Sequence, residues 1–181
     1  MKRLLPLILC LCFLIGCADN GAMDKAVALR GRIMQASKCE FSLVITADYG
    51  DNLYVFAMDC EADDKGNVTF TVTKPDTIAG ITGLITADGG KLTFDDVMLA
   101  IPMLTDDQIT PVSAPWILMR TLRGGYITSC ADGRVTIDDS YADDALTLDI
   151  LLDEQDLPSV TEIYWKDRRI LTLEIEAFRL S

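Results

Sequence analysis

Apolar residues at every second position in residues 39–47 and 68–72 restrict the possible folds of this chain more than any other feature. This period is typical of a β-strand with one buried face. Turn sequences at 49–52 and 63–67 bracket a further strand at 53–61, so the pattern predicts an antiparallel meander. If the first turn pairs Tyr49 with Asn52, Phe41 lies opposite Cys60. Cys39 is then a diagonal neighbour of Cys60 at roughly 7–8 Å, beyond disulfide reach unless a bulge intervenes.

Strand patterns continue to the end of the sequence. Residues 78–87 predict a fourth strand, with Gly80 and Gly83 allowing a bend or bulge, and residues 91–94 a fifth. Residues 95–111 are rich in apolar side chains but contain Pro102 and Pro111, and we interpret them as a connecting segment over apolar surface. Later strands are expected at 126–131, 134–138, 145–152, 160–166 and 170–179, which makes about nine or ten in all.

Two helices are predicted. Asp19 or Asn20 caps the first, which runs to about Ser37 with apolar residues at helical spacing: Met23, Ala26, Val27, Ile33 and Met34. Ser113 caps the second, and Gly124 and Gly125 end it. This second helix is apolar over most of its surface, so it is either buried on several sides or a lid over an apolar cavity. The expected class is mainly β (α+β), with one curved antiparallel sheet and both helices on its concave side.

The N-terminal sequence carries an export signal. Lys2 and Arg3 precede an apolar run that is too short to span a bilayer, as in a secretory signal peptide. The ending at 14–17, Leu-Ile-Gly-Cys, resembles the lipobox of bacterial lipoproteins, in which the cysteine is acylated and becomes the first residue. The expected organisation is a signal peptide at 1–16, an acylated tether at 17–22 and one domain at 23–181. Acyl chains on Cys17 would anchor the domain to a cell membrane on its extracytoplasmic side. An ordinary signal peptide with Cys17 as a bystander is the alternative.

Composition excludes several functions. The chain has no histidine, which removes serine triads, cysteine–histidine pairs and the commonest metal ligand. Its net charge of −12 disfavours nucleic acid as a partner. The cysteines Cys39, Cys60 and Cys130 fit no zinc spacing, and the acidic pairs fall at turns without a calcium pattern. We therefore expect no catalytic residues, metal or cofactor, and no enzyme.

The order of elements resembles one family. The steps at 72–75 (Val-Thr-Lys-Pro) and 78–81 (Ile-Ala-Gly-Ile), and the closing run 148–178 with Leu157-Pro158, resemble the LolA/LolB-like superfamily of lipoprotein carriers, receptors and lipid-binding lipoproteins. The resemblance covers nearly all of residues 17–181. It implies an unclosed half-barrel with a helical lid over an apolar cavity that holds an acyl chain or lipid. It identifies no acyl-contacting arginine.

Two hypotheses follow from these patterns. The first is an acyl- or lipid-binding chaperone, carrier or receptor. Arg120 and Arg123 would contact its ligand's head group unless they only complement the helix end, and its cavity would be lined by Met98, Met103, Trp116, Met119 and Leu122. The second is a tethered protein–protein adaptor, for example one supporting a cell-envelope or spore germination enzyme, whose interior is filled by its own side chains.

Overall fold

The computed structural model describes residues 20–50, 52–94, 97–101 and 110–181. Helix α1 is Asn20–Gln35 and helix α2 is Ala114–Gly124, preceded by a 3-10 turn at Pro111–Ser113. The strands are β1 (Lys38–Asp48), β2 (Leu53–Asp63), β3 (Val68–Lys74), β4 (Thr82–Thr86), β5 (Gly89–Phe94), β6 (Val97–Ile101), β7 (Tyr126–Ala131), β8 (Arg134–Asp138), β9 (Leu146–Leu152), β10 (Pro158–Trp165) and β11 (Arg168–Leu180). The expected signal peptide and Cys17 lie outside these ranges.

The strands form one antiparallel sheet in the order β6-β5-β4-β3-β2-β1-β11-β10-β9-β8-β7. In the described part of the chain it is not closed, because β6 and β7 are its two borders. The predicted class is confirmed: the protein is a mainly β, unclosed half-barrel with an N-terminal and a mid-chain helix. The first strand pairs with the last, so two successive meanders meet at the β1–β11 seam in the middle of the sheet.

The register predicted from a turn that pairs Tyr49 with Asn52 is confirmed in the first hairpin. Tyr49 N–H donates to the Asn52 oxygen, and Phe41 lies opposite Cys60 as predicted. The inward side chains of β1 are almost fully buried, and Phe41 stacks on Phe178 with ring centroids 5.4 Å apart. Each fully buried aliphatic or aromatic side chain contributes about 1.5–3 kcal/mol, so this face holds the fold together.

Three sequence expectations are corrected by the structure. The fourth strand begins at Thr82, because residues 75–81 form turns in which the Gly80 N–H donates to the Val72 oxygen. The segment at 95–111 contains a strand, β6, which pairs with β5. Gly83 makes no bulge: it lies in a regular strand, where an added Cβ would come within 2.2 Å of the Phe70 ring.

Helix α1 buries a narrower stripe than predicted. Ala26, Leu29 and Ile33 are buried, at the spacing of one helix face. Val27 and Met34, which the sequence pattern placed on the apolar face, are more than half exposed. The packed face is therefore set by small and branched residues that fit against α2, β7 and β8.

Candidate functional site

Helix α2 is the centre of the candidate site because it is buried around most of its circumference. Eight of its residues are buried: Ala114, Pro115, Trp116, Ile117, Leu118, Met119, Thr121 and Leu122. Gly125 ends the helix, and a Cβ there would lie 2.5 Å from the Ile137 side chain and 2.8 Å from the Asp138 oxygen. The helix therefore turns into β7 through a position that has no room for a side chain.

Ser113 lies at the N-cap position of α2 as predicted, but its side chain makes no capping hydrogen bond. Ser113 has helical backbone angles, and its hydroxyl donates to the Thr110 oxygen at 2.8 Å instead of accepting from the helix. The 3-10 turn at Pro111–Ser113 leads directly into the helix, so the chain needs no side-chain cap at this point.

Three of the five residues predicted to line the cavity come together. Trp116, Met119 and Leu122 are buried at 7%, 0% and 3% exposure in the common core. A void of about 10 Å³ beside Leu122 is about the smallest that can hold one water molecule. The described side chains around α2 form a packed apolar interior.

The other two residues do not join this cluster. Met98 is 67% exposed on β6, opposite Thr93 and on the outer face of the sheet. Met103 lies outside the described residues. The cavity lining therefore stays a prediction, and the structure groups Trp116, Met119 and Leu122 apart from Met98.

The two arginines of α2 face different partners. Arg120 forms an ion pair with Asp139, and its guanidinium lies 4.8 Å from the centroid of the Trp116 ring. Arg123 donates to the main-chain oxygens of Asp63 at 2.7 Å and Asp64 at 3.0 Å, in the β2–β3 turn. Both side chains thus attach α2 to the surrounding sheet; a role in binding a head group stays a prediction.

Arg30 is a third attachment that the sequence reasoning missed. From α1 it donates to the Leu122 oxygen at 2.9 Å and to the Gly125 oxygen at 2.7 Å. Burial lowers the pKa of Arg30, but a guanidinium stays charged at neutral pH. A cation at the end of α2 also complements the helix dipole. No local sequence pattern predicts this contact, because the residues that accept from Arg30 are more than 90 positions away in the sequence.

An open groove of about 780 Å³ lies on the outer face of β1–β6 and β11. Hydroxyl and charged side chains dominate its outward-facing lining, among them Ser42, Asp59, Thr69, Thr71 and Lys91. At its margin Lys38 bridges Glu40 and Glu61 at 2.7 and 2.8 Å, and these hydrogen bonds raise the pKa of Lys38. The lining is mixed, because apolar side chains such as Leu84 and Met98 lie among these polar ones.

Cys39, Cys60 and Cys130 are free thiols. Burial raises the pKa of each, most strongly that of Cys60. Within the described ranges, no cluster of three or more cysteine and carboxylate side chains could hold a metal ion. No helix among the described residues is long and apolar enough to cross a membrane.

Comparisons with known proteins give the fold a name. No protein-family model matches the sequence, and no curated protein is significantly similar to it. Among solved structures, a putative outer membrane lipoprotein-sorting protein domain from Vibrio parahaemolyticus superposes with a TM-score of 0.51 and 8% identity, over 88% of this chain and 92% of that one. A LolA superfamily protein from Nitrosomonas europaea gives 0.50 and 8%, over 86% and 93%. A DUF1329 family protein from Desulfovibrio piger gives 0.50 and 9%, over 87% and 91%. The chain has the LolA-like fold.

Proposed function

We propose that this protein is a non-enzymatic, membrane-tethered lipoprotein of the cell envelope that binds an acyl chain or lipid where α2 now packs. The observation that carries the proposal is the burial of α2 on a LolA-like half-barrel. An apolar helix that fills the interior of an open sheet occupies a volume that a ligand chain could take if the helix moved outward.

The attachments of α2 fit this role. Polar contacts are concentrated at its C-terminal end, where Arg30, Arg120 and Arg123 bind it to α1, to the β8–β9 loop and to the β2–β3 turn. Trp116 and Met119 make apolar contacts that a lipid could replace at little cost, since dispersion and burial are not specific to one partner. Acyl chains on Cys17 would hold α1 close to the membrane, since its first residue is Asn20 and three residues span at most about 11 Å.

Native mass spectrometry of residues 18–181, which include every described element, tests this proposal. Protein from a membrane-containing lysate should carry a bound mass in the acyl-lipid range, and the mass should disappear on delipidation and return with added lipid. Leu122→Ala, which enlarges the void beside α2, should increase the bound fraction. The matched control, Met98→Glu on the outer face, should leave it unchanged.

The opposite result is equally clear. A clean apo mass that added lipid does not alter would refute acyl binding. Loss of the bound mass in Met98→Glu alone would place the ligand in the outer groove and refute a site under α2.

One observation favours a second candidate, a tethered protein–protein adaptor. Eight residues of α2 are buried in the core, and the void at Leu122 is only about 10 Å³, as expected for a domain that carries no ligand. In that case Arg120 and Arg123 are structural, and the partner would be another cell-envelope protein, recovered by cross-linking in intact cells and not by lipid extraction.

A further inference from the structure

Strand β2 extends beyond its neighbour β3. It pairs with β1 along its whole length, from Leu53 to Asp63, but with β3 only from Ala57 onward. In the described parts of the chain, no strand pairs with residues 53–56 on the side away from β1. This leaves a short free strand edge on an inner strand of the sheet, next to the β1–β2 turn.

The residues whose main-chain groups face this edge follow from the ladder pattern. Tyr49 N–H donates to the Asn52 oxygen, so the even-numbered residues of β2 bond to β1. Asp63 N–H donates to the Asn67 oxygen, so the odd-numbered residues point toward β3. Both ends of the strand give the same result: the N–H and C=O groups of Leu53 and Val55 point outward to the free edge.

The side chains at this edge are apolar and exposed. Leu53 is 67% exposed, Tyr54 48% and Val55 55%. Tyr49 packs edge-on against Tyr54, with centroids 5.9 Å apart, and is itself half exposed. Residues 53–58 contain neither charge nor proline in a chain of net charge −12. An exposed, uncharged and apolar edge is the kind that pairs with another strand.

We propose that this edge pairs with the same edge of a second copy of the chain, antiparallel about a two-fold axis at Tyr54. Leu53 of each copy then faces Val55 of the other, and four main-chain hydrogen bonds form between them. Tyr54 faces its own symmetry mate as a non-hydrogen-bonded pair.

Two features favour a second copy as the occupant. The segment is self-complementary in this register, so every free group of Leu53 and Val55 finds a partner. It also lacks the acidic residues that would oppose association of two acidic chains elsewhere on the surface. The patch comprises a few side chains, below the roughly 1,200 Å² of total buried area in stable interfaces, so we expect a weak dimer.

Disulfide trapping of the full-length chain in bacterial membranes tests the register. All variants carry Cys130→Ser, since Cys130 is partly exposed. Tyr54→Cys should give a dimer on mild oxidation, because Cα atoms of a non-hydrogen-bonded pair lie about 4.5 Å apart. Leu53→Cys is the matched control on the same edge: its two copies would be about 8 Å apart and should cross-link at least about tenfold less.

Variants at Val55 separate main-chain pairing from side-chain contact. Val55→Pro removes the outward N–H without removing a bond to β1, whereas Val55→Thr keeps the N–H and the shape. Combined with Tyr54→Cys, Val55→Pro should reduce the dimer at least about fivefold and Val55→Thr should retain it. Circular dichroism of each variant confirms folding.

Three results would overturn the proposal. Equal cross-linking of Tyr54→Cys and Leu53→Cys would indicate random collision. Insensitivity of a well-folded Val55→Pro variant would exclude strand pairing. A Tyr54→Cys disulfide to a different protein, without the self-dimer, would assign the edge to a foreign strand.

Discussion

Arg30 on α1 donates to the main-chain oxygen of Leu122 at 2.9 Å, and so joins the two helices across 92 positions of sequence. Together with its bond to the Gly125 oxygen, this side chain satisfies two carbonyls at the end of α2. The contact is local in space and remote in sequence, and it makes the position of α2 depend on α1.

Arg30→Ala should destabilise the fold and loosen α2. The loss of two charge-assisted hydrogen bonds should lower the free energy of unfolding by about 1–3 kcal/mol. Urea unfolding measures this change. If α2 is a lid, the variant should also take up a fluorescent acyl probe several-fold faster.

The control for this prediction is Arg32→Ala. Arg32 is on the same helix and also donates to main-chain oxygens, but to those of Gln155 and Asp156 in the β9–β10 turn. It should leave probe uptake unchanged. Equal uptake in the two variants would mean that α2 is not released by its contact with α1.

Two glycine substitutions should change the free energy of unfolding in opposite directions. Gly125→Ala places a Cβ within 2.8 Å of the Thr121 and Asp138 oxygens and closer still to Ile137, so the free energy of unfolding should fall by about 2–3 kcal/mol. Gly31→Ala lies within α1 with nothing within 4 Å of the added Cβ, and should gain about 0.5–1 kcal/mol. Thermal and urea unfolding measure both. A neutral Gly125→Ala would show that the junction between α2 and β7 is more adaptable than its packing indicates.

Glu162 should make the free energy of unfolding depend on pH in the acidic range. Its hydrogen bond with Arg169, at 2.5 Å, lowers the pKa of Glu162, aided by the Tyr164 hydroxyl and opposed by burial. A carboxylate with a depressed pKa stabilises the fold above its unfolded-state pKa of about 4.3, and this contribution is lost as pH falls through the lower folded-state value. Glu162→Gln should therefore be less stable than the parent at pH 7. The gap between the two free energies of unfolding should shrink toward pH 3.

Glu176→Gln, on the neighbouring strand β11, is the matched control: Glu176 is exposed, and its loss should lower the free energy of unfolding at pH 7 by less than the loss of Glu162 does. A gap for Glu162→Gln that stays constant between the two pH values would mean that the Arg169 contact contributes no pH-dependent stability.

The three thiols should react slowly and in a fixed order. Raised pKa values keep Cys39, Cys60 and Cys130 protonated at neutral pH, and the thiolate is the reactive form. Cys130, the partly exposed one, should be alkylated first, and Cys39 and Cys60 only after unfolding.

Intact mass spectrometry under non-reducing conditions should find all three thiols reduced. A Cys39–Cys60 disulfide would contradict the register, in which Cys39 faces Ala62.

The sequence was most informative where one rule governs both local structure and packing. A turn that pairs Tyr49 with Asn52 predicted the β1–β2 register down to the Phe41–Cys60 pair. The alternation of apolar side chains supports this register, because a shift by one residue would expose the buried face. The strand β6 was missed because its five residues, Val97–Ile101, form a continuous apolar run without alternation.

The candidate site was predictable only in part. The apolar surface of α2 follows from composition, and its burial was expected. The separation of Met98 from Trp116 and the attachment of α2 by Arg30 depend on how distant segments meet, which no local period encodes. The free edge of β2 also needed the structure, since it results from strands of unequal length.

One border of the sheet, β7, follows α2 almost directly: α2 ends at Gly124, β7 begins at Tyr126, and only Gly125 lies between them. An added Cβ at Gly125 would come within 2.8 Å of three neighbouring atoms, so this junction is tightly packed. An outward movement of α2 would therefore pass directly to β7. A spectroscopic probe on that border strand should report the position of the helix.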